Sequence, residues 1–208
     1  MRLANNQLAI LQLLVKLRNP TVTFDEVVDL VKHDVSLSVK LLRYVNSLAH
    51  GVRQQIDSVK QAAVRLGLQK LSQIVTLLAM SGIGDKPKSL FETALIRAKM
   101  CEIIGGRNRP ENAEICFTVG LFSSLDVFLD QPLSEILKEL PVIPEMREAL
   151  LSHEGPMGHL LSSVMAFERD DWAATQQVGV DDATLQNAYL SAVSWGHVEA
   201  KNAYSDAA

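Results

Sequence analysis

Two adjacent residues, His33 and Asp34, carry side chains of the types that chelate a divalent metal in one class of phosphohydrolases. That chemistry needs another histidine earlier in the chain, because several oxygen or nitrogen ligands must converge on one ion. His33 is the first histidine of this sequence, so the upstream ligand is missing. We therefore expect His33 to end one helix, near its negative dipole end, and Asp34 to cap the next.

A second candidate metal motif consists of His153, Glu154 and His159. In the zinc-protease pattern, two histidines lie one helical turn apart so that both imidazoles point in the same direction. Here Gly155 and Pro156 stand between the histidines and should break that helix. The spacing argues against a zinc site, and we expect neither a metal ion nor another cofactor.

Serine nucleophiles are a third possibility, and the most suggestive stretch is Gly120-Leu121-Phe122-Ser123-Ser124. A hydrolase serine stands on a sharp strand-to-helix turn, within hydrogen-bond reach of a base. We predict that this stretch lies inside a helix, where such a turn is impossible. Glycine-rich loops of the phosphate-binding types are absent from the sequence as well.

Composition and charge exclude further classes of function. The chain has 208 residues, of which 48% are hydrophobic, and its formal net charge is -4. Since phosphate-neutralising proteins are usually basic, nucleic acid is not an expected partner. The apolar runs fall short of the roughly 20 residues that a membrane helix needs, so no membrane association is expected. Cys101 and Cys116 should be buried thiols in a reducing compartment, and we expect a cytoplasmic protein.

Helix start and stop signals recur along the chain and strand patterns are scarce, which predicts an all-α fold. Thr23 with Glu26, and Ser58 with Gln61, have the spacing of capping boxes. The predicted helices cover Asn5 to Arg18, Phe24 to Lys32, Asp34 to about Leu48, Ser58 to near Gly67, Leu68 to Ser81, Pro87 to Gly105-Gly106, Pro110 past Leu125, shorter helices after Pro132, and Asp181 or Asp182 through Trp195.

No linker-like composition and no repeat of fixed period divides the chain. We therefore predict a single domain over residues 1–208. Its helical core should span about residues 5–130, and shorter helices with a final long helix should span about residues 131–205.

Several motifs in the first half occur together in a combination that is fairly specific. Between Leu13 and Val75, after the proline that ends the first helix, the chain reads Asp34-x-Ser36-Leu37, Leu41-Leu42-Arg43 before Asn46-Ser47, and Ile56-x-Ser58 before Ala62-x-x-x-Leu66-Gly67. With these motifs the stretch resembles the HD-related output domain, HDOD.

The second half extends this resemblance over nearly the whole chain. It resembles the HDOD half of bacterial proteins that join an EAL domain to it, in Arg97-Ala98-x-x-Cys101-Glu102, Val119 to Ser123 with Leu125-Asp126, Ala149-Leu150-Leu151, and Phe167-Glu168-x-Asp170-Asp171-Trp172. The resemblance implies a compact multi-helix relative of the HD phosphohydrolases. It also implies an output or regulatory module of bacterial signalling, often associated with cyclic di-GMP.

The resemblance also implies where a metal would be bound in a catalytic relative. The stretch ending in Ser123 and Ser124 corresponds to a segment that reads G-L-L-H-D in those relatives, so both ligand positions carry hydroxyls here. The upstream histidine would fall near Thr93, and the aspartate on the last helix would fall where Ala192 to Ser194 offer no carboxylate. A hydroxyl does not replace imidazole or carboxylate as a metal ligand at comparable affinity. We therefore expect a protein that is not an enzyme.

The expected function is a non-catalytic signal-transduction domain that binds a protein partner, either another signalling protein or a linked EAL domain before residue 1. Two alternatives stay open: a degenerate metal-dependent HD-type phosphohydrolase, and a nucleotide sensor that binds at the vestigial positions Thr93, Ser123 and Ser124. The residues that could contact a partner are Arg43, Tyr44, Asn46, Arg53 and Trp172.

Overall fold

The computed structural model describes residues 13–14, 16–17, 21–48, 56–82, 86–107, 109–140, 142–171 and 180–204. Every regular element within these ranges is a helix, which confirms the all-α class. The described residues form two compact units, one from residues up to 82 together with 201–204, and one from residues 86–200. The prediction of a single domain with its core at about 5–130 stays a prediction, because compactness does not decide whether the units fold separately.

The first unit contains four helices whose bounds are fully described. Local side-chain signals set them: Thr23 and Glu26 form a complete capping box, and the Asp34 carboxylate accepts a bond from the Leu37 amide at 2.9 Å. His33 ends the preceding helix, as expected. Most of the first predicted helix lies outside the described residues. The helices are α1 (Phe24–Lys32), α2 (Val35–Leu48), α3 (Val59–Leu66) and α4 (Leu68–Ser81).

The second capping box is only half formed. Ser58 accepts a bond from the Gln61 amide at 3.1 Å, but the Gln61 side chain accepts from the amide of Asp57 instead of Ser58. Two backbone amides at the start of α3, those of Asp57 and Gln61, are therefore hydrogen-bonded to side chains. Helix α4 is buried on almost all sides from Leu71 to Ser81, in agreement with the expectation that it lies in a core.

The second unit contains seven α-helices among the described residues. Helix α10 packs against both α5 and α6, and α9 packs against α10. No described helix is long and apolar enough to cross a lipid bilayer. The elements are α5 (Lys88–Gly106), a 3-10 turn (Pro110–Asn112), α6 (Ala113–Phe122), α7 (Leu125–Leu129), α8 (Leu133–Glu139), α9 (Pro144–Leu151), α10 (Gly155–Glu168) and α11 (Asp182–Ala203), which continues into the first unit beyond Ala200.

Two sequence predictions for the second unit were wrong in detail. The helix after Pro110 does not reach Leu125, because it ends at Phe122 and Leu125 begins the next helix. Gly158, which we also expected to break the helix between His153 and His159, lies inside α10, and its missing side chain leaves room for the backbone of His153, which precedes the helix. The last helix runs through Trp195, as predicted, and extends to Ala203.

Glycines bring α5 and α6 unusually close together. A methyl group at Gly120 would lie 2.8 Å from the Cα of Ala98 and 3.0 Å from the Cys101 sulfur. Gly105 faces Cys116 in the same way, so this pair of glycines faces the two buried cysteines. The helix ends at Gly106, in agreement with the predicted stop at Gly105-Gly106, and Gly105 in addition allows close packing.

The Gly120→Ala variant should be destabilised by about 1 to 3 kcal/mol, since the added methyl group would press against helix backbone that has little room to move. Urea unfolding monitored by circular dichroism measures this change. Gly82→Ala is the matched control, because Gly82 is an exposed helix cap with negative φ and its new methyl group would lie 3.4 Å from the Ala79 carbonyl oxygen. Equal destabilisation of both variants would contradict the close packing of α5 and α6.

A buried carboxyl group lies near the end of α11. Glu199 is only 5% exposed, and this burial raises its pKa from the ordinary value of 4.5 to about 7. The unfolded chain ionises this group near its ordinary pKa, whereas the folded chain keeps the proton until near pH 7. Folding is therefore progressively disfavoured as the pH rises from about 4.5 to about 7, and the cost is constant above that window.

Glu199→Gln should remove this dependence and stabilise the protein above pH 7 relative to the wild type, by roughly 1 to 3 kcal/mol. The gain should disappear near pH 4, where the wild-type carboxyl group is protonated in both states. Denaturant unfolding at pH 4, 6 and 8 checks this. Glu148→Gln, which changes an exposed carboxyl group, should show no such window. A pH-independent difference for Glu199→Gln would contradict the assignment.

Candidate functional site

The two serines at the predicted vestigial positions lie in the turn between α6 and α7. Ser123 is the residue that ends α6, and Ser124 precedes α7. The prediction that they lie inside a helix was therefore wrong, because the backbone of α6 stops one residue earlier. The Ser123 hydroxyl donates to the Gly120 carbonyl at 2.7 Å, and Ser124 is buried, with 5% exposure.

One arginine binds both serines. Arg97 lies in the middle of α5, and its Nη1 lies 3.1 Å from each of the two serine hydroxyl oxygens. Both oxygens accept from this nitrogen, so the turn between α6 and α7 is attached to α5 by two charge-assisted hydrogen bonds. The close approach of α5 and α6 at Gly120 brings the guanidinium within reach of the turn.

The same guanidinium is paired with a carboxylate from a third helix. Glu168, the last residue of α10, accepts from Arg97 Nε at 3.0 Å with each of its two oxygens, and from Nη2 at 2.6 Å with one of them. The side chains are 15% and 17% exposed, so little solvent screens the pair. We call Arg97, Glu168, Ser123 and Ser124 the Arg97 cluster. The cluster connects α5, the α6–α7 turn and α10 through one cation.

Thr93 does not belong to the Arg97 cluster. It lies one helical turn before Arg97 on α5, is exposed, and donates its hydroxyl hydrogen to the Ser89 carbonyl at 2.9 Å. Two of the three vestigial positions are therefore brought together, and the third is separate from them.

Cysteine chemistry at the Arg97 cluster is disfavoured. Cys101 lies one turn after Arg97 and is 1% exposed, and burial raises the pKa of its thiol far above the ordinary range. The opposing influence of Arg97 is smaller. Burial also raises the pKa of the Cys116 thiol. Both groups stay protonated at neutral pH and are poor nucleophiles.

Within the described ranges, no group of three or more His, Cys, Asp or Glu side chains converges as metal ligands would. This includes His33 with Asp34, and His153 with Glu154 and His159. An open cavity of about 450 Å³ does occur in the first unit, where His33 lines it together with residues of α1. The His33 ring is engaged there with the Asp29 carbonyl oxygen at 2.6 Å, and the cavity contains no residue of the Arg97 cluster.

The residues predicted to contact a partner do not form one exposed surface among the described residues. Tyr44 is 1% exposed, so it belongs to a core and is not part of a contact surface. Asn46, in the last turn of α2, donates to and accepts from the backbone of Ile56 at 2.9 Å, which fixes the end of α2 to the chain before α3. Arg43 is exposed on α2. Arg53 and Trp172 lie outside the described residues.

Sequence reasoning did not predict that Arg97 and Glu168 lie at the candidate site. Both occur in the motifs that carry the HDOD resemblance, but neither was identified as a site residue. The available signal was the position of Arg97, a permanent charge one turn from the vestigial Thr93 on an otherwise apolar helix face. Its partner Glu168 is 71 residues away, so no local pattern predicts the pair.

Comparison with curated proteins relates the chain to two longer proteins. It is 34% identical over 191 residues to the cyclic di-GMP phosphodiesterase CdgJ of Vibrio cholerae, covering 89% of this chain and 44% of that protein. It is 30% identical over 193 residues to the YuxH protein of Bacillus subtilis, covering 89% of this chain and 47% of YuxH. The chain thus spans less than half the length of these two relatives.

Solved structures share its fold at low sequence identity. A protein of Shewanella amazonensis SB2B, provisionally described as a phosphohydrolase, matches with a TM-score of 0.67 and 18% identity, covering 97% of this chain and 94% of that one. An HDOD domain protein of Geobacter sulfurreducens, of unknown function, matches with a TM-score of 0.62 and 15% identity, covering 94% and 91%. At these identities the likeness concerns the fold alone.

The HDOD domain family model matches residues 4–152, which is more than half of the sequence. Together with the helical fold and the relatives above, this match agrees with the resemblance seen in the sequence motifs. The chain belongs to the HDOD domain family.

Proposed function

We propose that this chain is a non-catalytic output or regulatory domain of a cyclic di-GMP-linked signalling system, and that it acts by binding a protein partner in the cytoplasm. The observation that carries the proposal is the guanidinium of Arg97, which binds the two serines at the positions where an HD-type enzyme would hold its metal. In this proposal the Arg97 side chain supplies the positive charge that a bound metal ion supplies in such an enzyme.

The cation explains why metal-dependent hydrolysis is disfavoured at this place. A divalent ion beside Ser123 and Ser124 would lie a few Å from a permanent positive charge, and their repulsion would be on the order of several kcal/mol even with substantial screening. The hydroxyl oxygens offer little compensation because they are neutral ligands. Glu168, which supplies the carboxylate of the cluster, is already paired with Arg97.

The link to cyclic di-GMP is supported by the named activity of CdgJ, with which 89% of this chain aligns. Because the chain spans 44% of CdgJ, a catalytic region elsewhere in such a protein is compatible with a non-catalytic HDOD portion. We propose that the partner is an EAL domain, either linked to this chain or separate from it.

An exposed face of α2 is the best-supported contact surface. Val35 and Val39 are 75% and 41% exposed, and Arg43 is exposed one further turn along the same face. Apolar residues with an arginine beside them are typical of protein interfaces. Exposure of two valines at consecutive turns is costly in water unless a partner covers them.

The proposed interaction is tested by titrating the purified chain with EAL domains from the same genome, using calorimetry. We expect at least one EAL domain to bind, and Val35→Ser with Val39→Ser to weaken that binding at least about tenfold, as expected for a central contact of an interface. Leu190→Ser is the matched control, because Leu190 is 66% exposed on α11. Unchanged melting temperatures would exclude unfolding as the cause of weaker binding.

The proposal is overturned if no EAL domain binds, or if the chain hydrolyses phosphodiesters. The second outcome is decisive when elemental analysis finds stoichiometric divalent metal and Ser123→Ala with Ser124→Ala abolishes the hydrolysis. That result would establish the degenerate phosphohydrolase instead.

Arg97→Met should lower the free energy of unfolding by about 2 to 4 kcal/mol, because it leaves the Glu168 carboxylate poorly solvated and without its cation. Lys138→Met removes an exposed pair with Glu135 whose side chains are 64% and 56% exposed, so it should cost less than about 1 kcal/mol. Adding Glu168→Gln to Arg97→Met should recover part of the loss. Chemical denaturation of the four proteins measures these differences, and equal losses for the two methionine variants would refute a stabilising Arg97 cluster.

A further inference from the structure

The end of α10 carries an unusual concentration of negative charge. Glu168 is its last residue, and Asp170 and Asp171 follow within three positions. Carboxylates are disfavoured at this end of a helix because the backbone dipole is negative there. Glu168 nevertheless turns inward to Arg97, so a specific interaction outweighs the unfavourable position.

The backbone after Glu168 adopts a tight helix-ending turn. The Asp171 amide donates to the Ala166 carbonyl at 2.9 Å, and the Asp170 amide donates to the Phe167 carbonyl at 3.1 Å. These two bonds define a Schellman motif. Its left-handed position is occupied here by Asp170, whose φ is 57°. Most helices use glycine at that position, so the turn is formed at some conformational cost.

The donors around Glu168 match those of a phosphate site. Arg97 offers its planar guanidinium, which binds a carboxylate or a phosphate with the same pair of parallel bonds. Glu168 occupies the edge of the guanidinium formed by Nε and Nη2, whereas the Ser124 oxygen is bound to Nη1 at 3.1 Å and holds the guanidinium in place. Within the cluster, Glu168 is the only group that supplies negative charge, so it occupies the position that an external anion would take.

We propose that Glu168 is an internal competitor for an anion-binding site at Arg97, and that a phosphate group displaces it. The phosphate takes over the bonds that Arg97 Nε and Nη2 donate to Glu168, while Ser123 and Ser124 keep holding Nη1. The released Glu168 is repelled by the bound anion and adds its charge to those of Asp170 and Asp171. The end of α10 then loosens, so that ligand binding changes the chain that follows it.

This device goes beyond the proposed function, because it assigns a ligand class and a conformational response to the Arg97 cluster. It requires no hydrolysis and no protein partner. A failed phosphate titration would therefore leave the binding of an EAL domain untouched, and a failed partner titration would leave the anion site untouched.

The test is an NMR titration of the 208-residue chain with inorganic phosphate and, separately, with cyclic di-GMP, at constant ionic strength maintained with chloride. We expect Glu168→Gln to bind phosphate at least about tenfold more tightly than the wild type, because the competing charge is gone. Arg97→Met should lose binding, and Glu135→Gln, which removes an exposed carboxylate elsewhere, should behave as the wild type.

Hydrogen exchange supplies a second readout that does not depend on any variant. Phosphate added to the wild type should accelerate exchange of the amides of Asp170 and Asp171, whose bonds close the end of α10. Binding of inorganic phosphate alone would assign a terminal phosphate as the ligand group, and binding of both probes would assign a phosphodiester as well. The proposal is overturned if Glu168→Gln gains no affinity for either probe, or if Arg97→Met binds as tightly as the wild type.

Discussion

The close approach of α5 and α6 is the constraint on which the second unit depends. Gly120 and Gly105 remove the side chains that would hold the two helices apart, so backbone meets backbone where most helix pairs are separated by side chains. Gly120 comes three residues before Ser123, so this contact lies next to the turn that holds Ser123 and Ser124. It also places Arg97, in the middle of α5, beside the turn that follows α6. The Arg97 cluster is in this sense a product of helix packing.

A single guanidinium then joins three parts of the unit that are distant in sequence. Its geometry suits the task because the donors of an arginine are fixed in one plane and point in several directions. A lysine at position 97 would carry the same charge but could not engage two serines and both oxygens of a carboxylate in one arrangement.

Local signals predicted much of the fold because helix ends depend on nearby residues. The bounds Phe24–Lys32 and Leu68–Ser81 were predicted correctly, since a capping box marks the first and flanking glycines mark the second. The pair Gly105-Gly106 also marked the end of α5 correctly. The sequence did not show that Gly105 allows a neighbouring helix to approach, because a glycine that ends a helix and one that admits a neighbouring helix look alike in sequence. The turn at Ser123 was missed for a related reason: its surroundings are as apolar as a helix interior.

The candidate site was predicted only in part. The family resemblance drew attention to Ser123 and Ser124, and the structure brings both into contact with Arg97. It did not identify Arg97 as their partner, because the pairing of Arg97 with Glu168 spans 71 residues and depends on the packing of α10. Thr93 lies one turn from Arg97 on the same helix, but its hydroxyl donates to the helix backbone at Ser89.

An arginine at the centre of the cluster also changes what the site can respond to. A guanidinium keeps its proton throughout the physiological pH range and cannot dissociate from the chain. Chelators, metal starvation and replacement by a competing ion, which switch metalloenzymes on and off, therefore do not remove this positive charge. The charge at the centre of the Arg97 cluster stays the same whatever the supply of metal ions.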